Sequence, residues 1–434
     1  MIQKLHDIIL KNMDRYTQLS DTIWDYAEIE FDTPKSSQVL IDTLLEHGFK
    51  IEKGTDKIEH AFVAKYENGG KRIGFLGEFD ALPNMSQKAN ALHKEAIVSG
   101  ENGHGCGHNL LGVGSLTAAI SLATYLQEEK LEGSVYYFGC PAEESGYGKS
   151  VMAQDGFFDG LDIALSWHPH FINETWSDRT LAVRQVNFEF KGISSHASLM
   201  PEMGRSALDA AEIMNIGTNF LREHMPQDAR IHYAFLDAGG KAANVVQDSA
   251  KLVYIIRGVD EAMVQHVYER IVKISQGAAL MTETQVTHEI TAQAKDVIPN
   301  EALSLALDKN MRNFDFVYSD DALVENQKLS PENKKVSLTV PNFKFGNLSH
   351  VSTDVGDVSW RVPVAQSYIA CEPVGTPMHS WQWVANGKSK MAHEALGYVG
   401  ALLAKTGLDY IQDITLQEAI RDEFEAVMAS KHSN

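Results

Sequence analysis

Three short apolar runs constrain this chain most. Residues 134–140, 162–167 and 364–371 are rich in aliphatic and aromatic side chains, and each ends abruptly at a Pro- or His-marked loop. Runs this short and this apolar read as strands buried on both faces, the pattern of central strands in a parallel sheet. Helical periodicities lie around them, at 2–29, 36–47, 108–130, 205–223, 261–281, 390–405 and 415–430. Strands alternating with helices argue for an α/β layer with largely parallel central strands. Sheets of that kind build their sites just outside the carboxyl ends of the strands.

Two further runs, 61–66 and 72–76, flank Asn68-Gly69-Gly70 and read as a hairpin. Residues 84–102 read as loop. Near 181 the pattern changes to half-exposed alternation, and two β-α-β units follow within some 115 residues. This predicts a small inserted α+β domain. A chain of 434 residues is long enough for that second domain. The boundaries predicted are 1–182 and 297–434 for one domain and 183–296 for the insert. Residues 314–345 are polar and weakly periodic, and read as peripheral.

The strand ends carry the chemistry. Gly103-His104-Gly105-Cys106-Gly107-His108-Asn109 is a glycine-rich loop that opens an apolar helix. Past the other strands come Glu143 and Glu144, then His168 and His170, then His379. Cys106, His108, Glu144, His168 and His379 are metal-capable side chains of the types that bind Zn²⁺ or Mn²⁺. His168 leaves its strand directly and is preferred over His170; His104 and His170 read as supporting groups. Two adjacent glutamates point in different directions, so Glu144 can bind metal while Glu143 stays free as a general base. Two divalent ions would need an anionic bridge, and a Cys106 thiolate qualifies. Taken singly, each of these residues has an ordinary structural reading; as a set at strand ends they do not.

Several motifs together resemble the di-metal amidohydrolases, which include hippurate hydrolase, the auxin-conjugate hydrolases and, more distantly, the aminoacylases. They are Phe75–Pro83, the Gly103–His108 loop, Cys140–Gly146, Ser166–Pro169 and Gly375–His379. Residues 204–210, 217–221 and 352–360 bring the chain closest to the p-aminobenzoyl-glutamate hydrolase branch. The resemblance implies a metallopeptidase-like mixed-sheet catalytic domain and an inserted ferredoxin-like dimerisation or lid domain. It implies the same five ligands, with Cys106 bridging and Glu143 as general base and acid. It adds His196 of the lid, reaching a neighbouring subunit's site to stabilise the oxyanion, and places Asn244 and Arg257 on the substrate. Asp80 stands where the family has an Asp beside the ligands. Two positions depart from relatives: Glu78 replaces the His of aminoacylases, and Asn109 replaces a common Asp.

The activity implied is hydrolysis of N-acyl or N-aroyl amino acids, with p-aminobenzoyl-glutamate the expected substrate. A dipeptidase or general deacylase is the alternative, and a noncatalytic partner subunit is a reading of another class. A homodimer through the lid is expected, with a heteromer of related subunits open. Acidic residues outnumber basic ones by 58 to 38, which argues against nucleic-acid or anionic-membrane partners. Three cysteines without a CxxC pair predict no disulfide framework and a cytoplasmic setting. No run of about 18 uninterrupted apolar residues predicts a membrane span.

Overall fold

The computed structural model describes residues 1–432. Its strands are β1 (Lys50–Lys53), β2 (Phe62–Tyr66), β3 (Arg72–Glu78), β4 (Ser134–Cys140), β5 (Ile163–His170), β6 (Glu174–Trp176), β7 (Ala182–Lys191), β8 (Arg230–Asp237), β9 (Ser249–Gly258), β10 (Gln285–Ala294) and β11 (Val364–Ala370). Its helices are α1 (Ile2–Leu10), α2 (Met13–Tyr26), α3 (Pro34–Glu46), α4 (His108–Glu129), α5 (Gly148–Gln154), α6 (Ala207–Leu221), α7 (Glu261–Thr282), α8 (Glu301–Arg312), α9 (Asp320–Leu329), α10 (Val355–Ser359), α11 (Trp381–Asn386), α12 (Lys390–Gln412) and α13 (Ile414–His432). The chain divides into two compact units. One comprises Met1–Arg179, Ile298–Asn347 and the residues from Asp357 onward; the other comprises Thr180–Val297 and Leu348–Gly356.

The first unit is built on a seven-stranded sheet of order β1-β2-β4-β3-β5-β11-β6. The central strands β4, β3, β5 and β11 are parallel, while β2 and β6 run antiparallel to their neighbours. The sheet is therefore mixed, with its parallel strands buried as their continuous apolar composition requires. The expected hairpin does not form, because β4 lies between β2 and β3. The Asn68-Gly69-Gly70 turn bonds to the start of β4 instead: Ser134 Oγ accepts from the Asn68 N–H at 3.1 Å and donates to the Gly69 carbonyl at 2.9 Å.

Helix α4 is apolar on every side and packs against β3 and α12. Its length and composition alone would suit a membrane span, but 94% of its most apolar 18-residue window is buried inside the fold. Gly112 lets the helix sit close to the sheet: a Cβ there would lie 2.6 Å from the Glu78 carbonyl oxygen. Residues 314–345 are not wholly peripheral. Phe314, Phe316 and Tyr318 pack around Tyr398 on α12, and Ser319 caps α9 by accepting from the Ala322 N–H. Their every-other-residue apolar spacing is too short a signal to stand out in a polar stretch.

The second unit runs β7-α6-β8-β9-α7-β10, with an antiparallel sheet of order β10-β7-β9-β8. This is the ferredoxin-like arrangement. Alternate residues of β9, among them Leu252, Tyr254 and Ile256, point into a core shared with α6 and α7. Ser206 and Asp260 cap those helices, accepting from the Asp209 and Met263 N–H groups. Strand β8 is a sheet edge. Leu348–Gly356 belongs to this unit, where the Val351 carbonyl accepts from the Leu181 N–H at 2.9 Å.

Candidate metal centre

The chemistry-bearing residues of the first unit leave the same end of adjacent strands. Glu78 ends β3 opposite Cys140, and Asp80 follows it; β4 runs into Glu143 and Glu144. His168 lies near the end of β5, in register with Tyr368 of β11, which leads on to His379. Gly107, at φ 77°, turns the chain into α4, so that His108 is the first helical residue. Three non-glycine residues around the centre also hold left-handed backbone: Ala142 at φ 61°, Tyr147 at 53° and His379 at 56°. Such strain, about 1–3 kcal/mol each, persists where surrounding structure fixes it and concentrates at functional sites.

Two of the imidazoles are aimed by what holds their other nitrogen. His168 Nδ1 lies 2.8 Å from the Pro169 carbonyl, which can only accept, so Nδ1 carries the proton. Its Nε2 then presents a lone pair toward Cys106 Sγ, 3.2 Å away. His108 Nδ1 lies 3.1 Å from both the backbone oxygen and Oδ1 of Asp80, which directs its Nε2 into the same space. Asp80 Oδ2 accepts from the Glu144 N–H at 3.1 Å. Glu144 Oε2 lies 3.4 Å from His379 Nε2, and its Oε1 lies 4.0 Å from His108 Nε2.

These donors fall into two triples with atoms within 4.8 Å of one another: Cys106, His108 and His168, and Cys106, Glu144 and His379. Cys106 is common to both. A third triple, Glu78, His108 and Glu143, places Glu143 at the edge of the same space.

The donor set fits divalent ions. His108 Nε2 and Glu144 Oε1 are buried and lack any hydrogen-bond partner, a costly state unless a cation satisfies them. The site is also strongly negative. Burial would push His108 toward its neutral form, yet Cys106, Glu78 and Asp80 outweigh burial and drive its pKa well above the ordinary value. Burial and the neighbouring Glu144 push the Cys106 thiol up, so the thiolate needs a positive neighbour. Glu144 is raised by burial but more strongly lowered by His379 and His108, to about 2. It is a carboxylate at neutral pH.

The other candidates lie elsewhere. His104 is buried with Nε2 on the Ile23 carbonyl at 3.0 Å, and burial lowers its pKa to about 3. His170 stacks on Tyr368. Asn109 donates instead to Ser20 Oγ at 3.0 Å and the Gly387 carbonyl at 3.1 Å. It anchors α2 and the end of α11, a role a carboxylate could not fill. In the second unit, His196 and Asn244 come together: the Ala197 N–H donates to the Asn244 carbonyl at 3.0 Å, and His196 bridges to Val245. His196 Nδ1 accepts from the Ser198 and Leu199 N–H groups at 3.3 and 3.2 Å, leaving Nε2 as its donor. Arg257 sits at the far end of β9, donating to Ser352 Oγ at 2.7 Å.

One contact was invisible in the sequence. Lys149 on α5 is fully buried, with Nζ 2.7 Å from Glu78 Oε1. Burial raises the Glu78 pKa, but Lys149 and His108 outweigh it and hold the carboxyl below its ordinary range.

The sequence profile of peptidase family M20/M25/M40 matches residues 74–331. The B subunit of p-aminobenzoyl-glutamate hydrolase from Escherichia coli (strain K12) is 37% identical over 454 residues, covering 98% of this chain and 94% of that one. Two solved structures share the fold. An aminobenzoyl-glutamate utilization protein from Klebsiella pneumoniae aligns with TM-score 0.59 at 19% identity, covering 90% of this chain and 98% of that one. A Bacillus subtilis protein described as a dinuclear metal-binding peptidase of the M20 family aligns with TM-score 0.59 at 16% identity, covering 92% and 99%.

Proposed function

The chain belongs to peptidase family M20/M25/M40, and we propose that it hydrolyses the amide bond of N-aroyl amino acids, with p-aminobenzoyl-glutamate as substrate. The observation that carries this reading is the pair of donor triples sharing Cys106, with Glu143 beside them. Cys106, His108 and His168 would hold one Zn²⁺ or Mn²⁺ ion, and Cys106, Glu144 and His379 a second. The thiolate favours such ions over Mg²⁺ or Ca²⁺. Bound there, the ions supply Lewis acidity toward water and the amide carbonyl.

The protein's own groups do the rest. Glu143, next to a ligand but outside both triples, takes the proton of the attacking water and returns it to the leaving nitrogen. One carboxylate thus serves as base and then acid, as amide hydrolysis requires. His196 donates Nε2–H to the developing oxyanion from a partner copy, and its held Nδ1 supports that assignment. Asn244 and Arg257 hold the substrate, the guanidinium suiting a carboxylate. Asp80 fixes His108 and the Glu144 backbone.

Two copies would pair through the second unit, where the edge strand β8 is exposed and Ile216 and Phe220 of α6 are 55% and 71% exposed. The name of the Escherichia coli relative, a subunit, keeps a heteromer as the competing assembly. We place the protein in the cytoplasm; among the described residues Cys106, Cys140 and Cys371 form no disulfide, in accord with a reducing compartment. Assay of p-aminobenzoyl-glutamate, hippurate, N-acetyl amino acids and dipeptides with added Zn²⁺ or Mn²⁺ tests the substrate. Turnover of dipeptides alone would overturn the aroyl-glutamate reading.

A further inference from the structure

Strand pairing in the second unit sets two arginines against each other. Arg230 opens β8, Arg257 lies near the end of β9, and the two are direct partners across the antiparallel ladder. Directly opposite side chains leave a sheet on one face, with Cβ atoms about 4.5–5.5 Å apart. Their neighbours fix which face this is. Ile231 and Ile256, adjacent along each strand, are buried in the core against α6 and α7, so Arg230 and Arg257 stand on the other side. His232 shares that side, two residues from Arg230 and diagonal to Arg257.

Like charges at directly opposite positions oppose the pairing of their strands. The bonds these two arginines make do not neutralise them. Arg230 Nη1 donates to the carbonyls of Gln227 and Ala229, and Arg257 Nη1 to Ser352 Oγ at 2.7 Å. All three acceptors are uncharged, and in each guanidinium only Nη1 makes a hydrogen bond among the described residues. The remaining N–H groups are of the forked kind that receives carboxylates. His232 registers the same field: burial lowers its pKa most, and Arg257, Arg222 and Arg230 lower it further. It is a neutral imidazole at pH 7 and carries one N–H to donate. In a chain of formal charge −20, three arginines acting on one histidine reverse the overall field locally.

The substrate reading above already assigns Arg257 one carboxylate. A second cation directly opposite suits a second carboxylate, and a glutamyl group carries two, joined by a short run of carbons. We propose that Arg230 is a specificity residue, which takes the side-chain carboxylate of an N-acylated glutamate while Arg257 takes the α-carboxylate, with His232 donating beside them. The proposal rests on that substrate reading and narrows it: the amino acid released is a dicarboxylic one.

The test is steady-state hydrolysis by the full chain with added Zn²⁺ or Mn²⁺. The substrates are p-aminobenzoyl-glutamate and its uncharged-side-chain analogue p-aminobenzoyl-glutamine. The wild type should favour the glutamate compound in kcat/KM. Arg230→Met should raise KM for that compound by at least about 10-fold, as expected on losing a charge-assisted hydrogen bond, with kcat little changed. It should not raise KM for the glutamine analogue. Arg257→Met should raise KM for both, because both carry the α-carboxylate. Arg230→Lys, which keeps the charge, should recover part of the loss, and circular dichroism checks that each variant folds. A wild type that turns over both compounds without preference, or an Arg230→Met variant whose KM is unchanged for glutamate or rises equally for both, would overturn the proposal and leave the hydrolase reading standing. A wild type that hydrolyses neither compound would overturn the substrate reading, and this proposal with it.

Discussion

Asp80 Oδ1 stands 3.1 Å from His108 Nδ1 and, together with the Asp80 backbone carbonyl at the same distance, turns Nε2 of the imidazole toward the metal space. The other oxygen of the same carboxylate holds the Glu144 N–H. Asp80→Ala should therefore weaken metal binding by about 10–100-fold, the usual cost of losing such a partner. Chelator competition measures it. An unchanged affinity would show that the ligands are aimed by something else.

Cys106 is the one donor shared by both triples. Cys106→Ser should lower the ion content from two per chain to one or none, read by elemental analysis after dialysis. Retention of both ions would remove the bridging role.

The strand ends were legible because three apolar runs stop at polar motifs, and composition alone marks that boundary. The strand order was not. Asn68-Gly69-Gly70 is a genuine turn, but whether its flanking strands pair depends on β4, some 65 residues away. Lys149 reads as an ordinary helix lysine, since its burial follows from Glu78 on a distant strand. Asn109 follows His108 directly, yet the first turn of α4 points it at Ser20 instead. The metal-capable residue types were readable from the sequence; which nitrogen each histidine presents required the carbonyls of Pro169 and Asp80.

Glu372 gives a pH dependence separate from the centre. It is fully buried and neither oxygen has a hydrogen-bond partner; Asn386 Nδ2 is given instead to the Cys371 carbonyl at 2.9 Å. Burial raises its pKa well above the ordinary value, against a smaller opposing effect of Asn386. In the unfolded chain the carboxyl ionises near pH 4.3 while in the folded chain it stays protonated. Its contribution to stability is thus complete below about pH 4.3 and is lost as pH rises toward the folded value. Glu372→Gln should stabilise the protein at pH 7.5 by about 1–3 kcal/mol, the range for a buried polar group lacking a partner, and by less at pH 5. Urea melts at the two pH values measure this. An equal or larger gain at pH 5 would contradict it.

The exposed Phe220 tests the assembly. Light scattering should find the wild type as a dimer and Phe220→Glu as a monomer, because a charge on the apolar face opposes its burial. A wild type that is monomeric until a second, related chain is added would favour the heteromer.

Glu143 lies in neither shared triple yet stands within 4.8 Å of His108. The most direct measurement is therefore metal content and p-aminobenzoyl-glutamate hydrolysis on the same preparations of wild type and Glu143→Gln. The account predicts two ions per chain in both proteins. It predicts turnover in the wild type and a rate at least about 10²–10⁴-fold lower in the variant, the loss of a general base. Full activity in Glu143→Gln, or loss of its ions together with its activity, would contradict it.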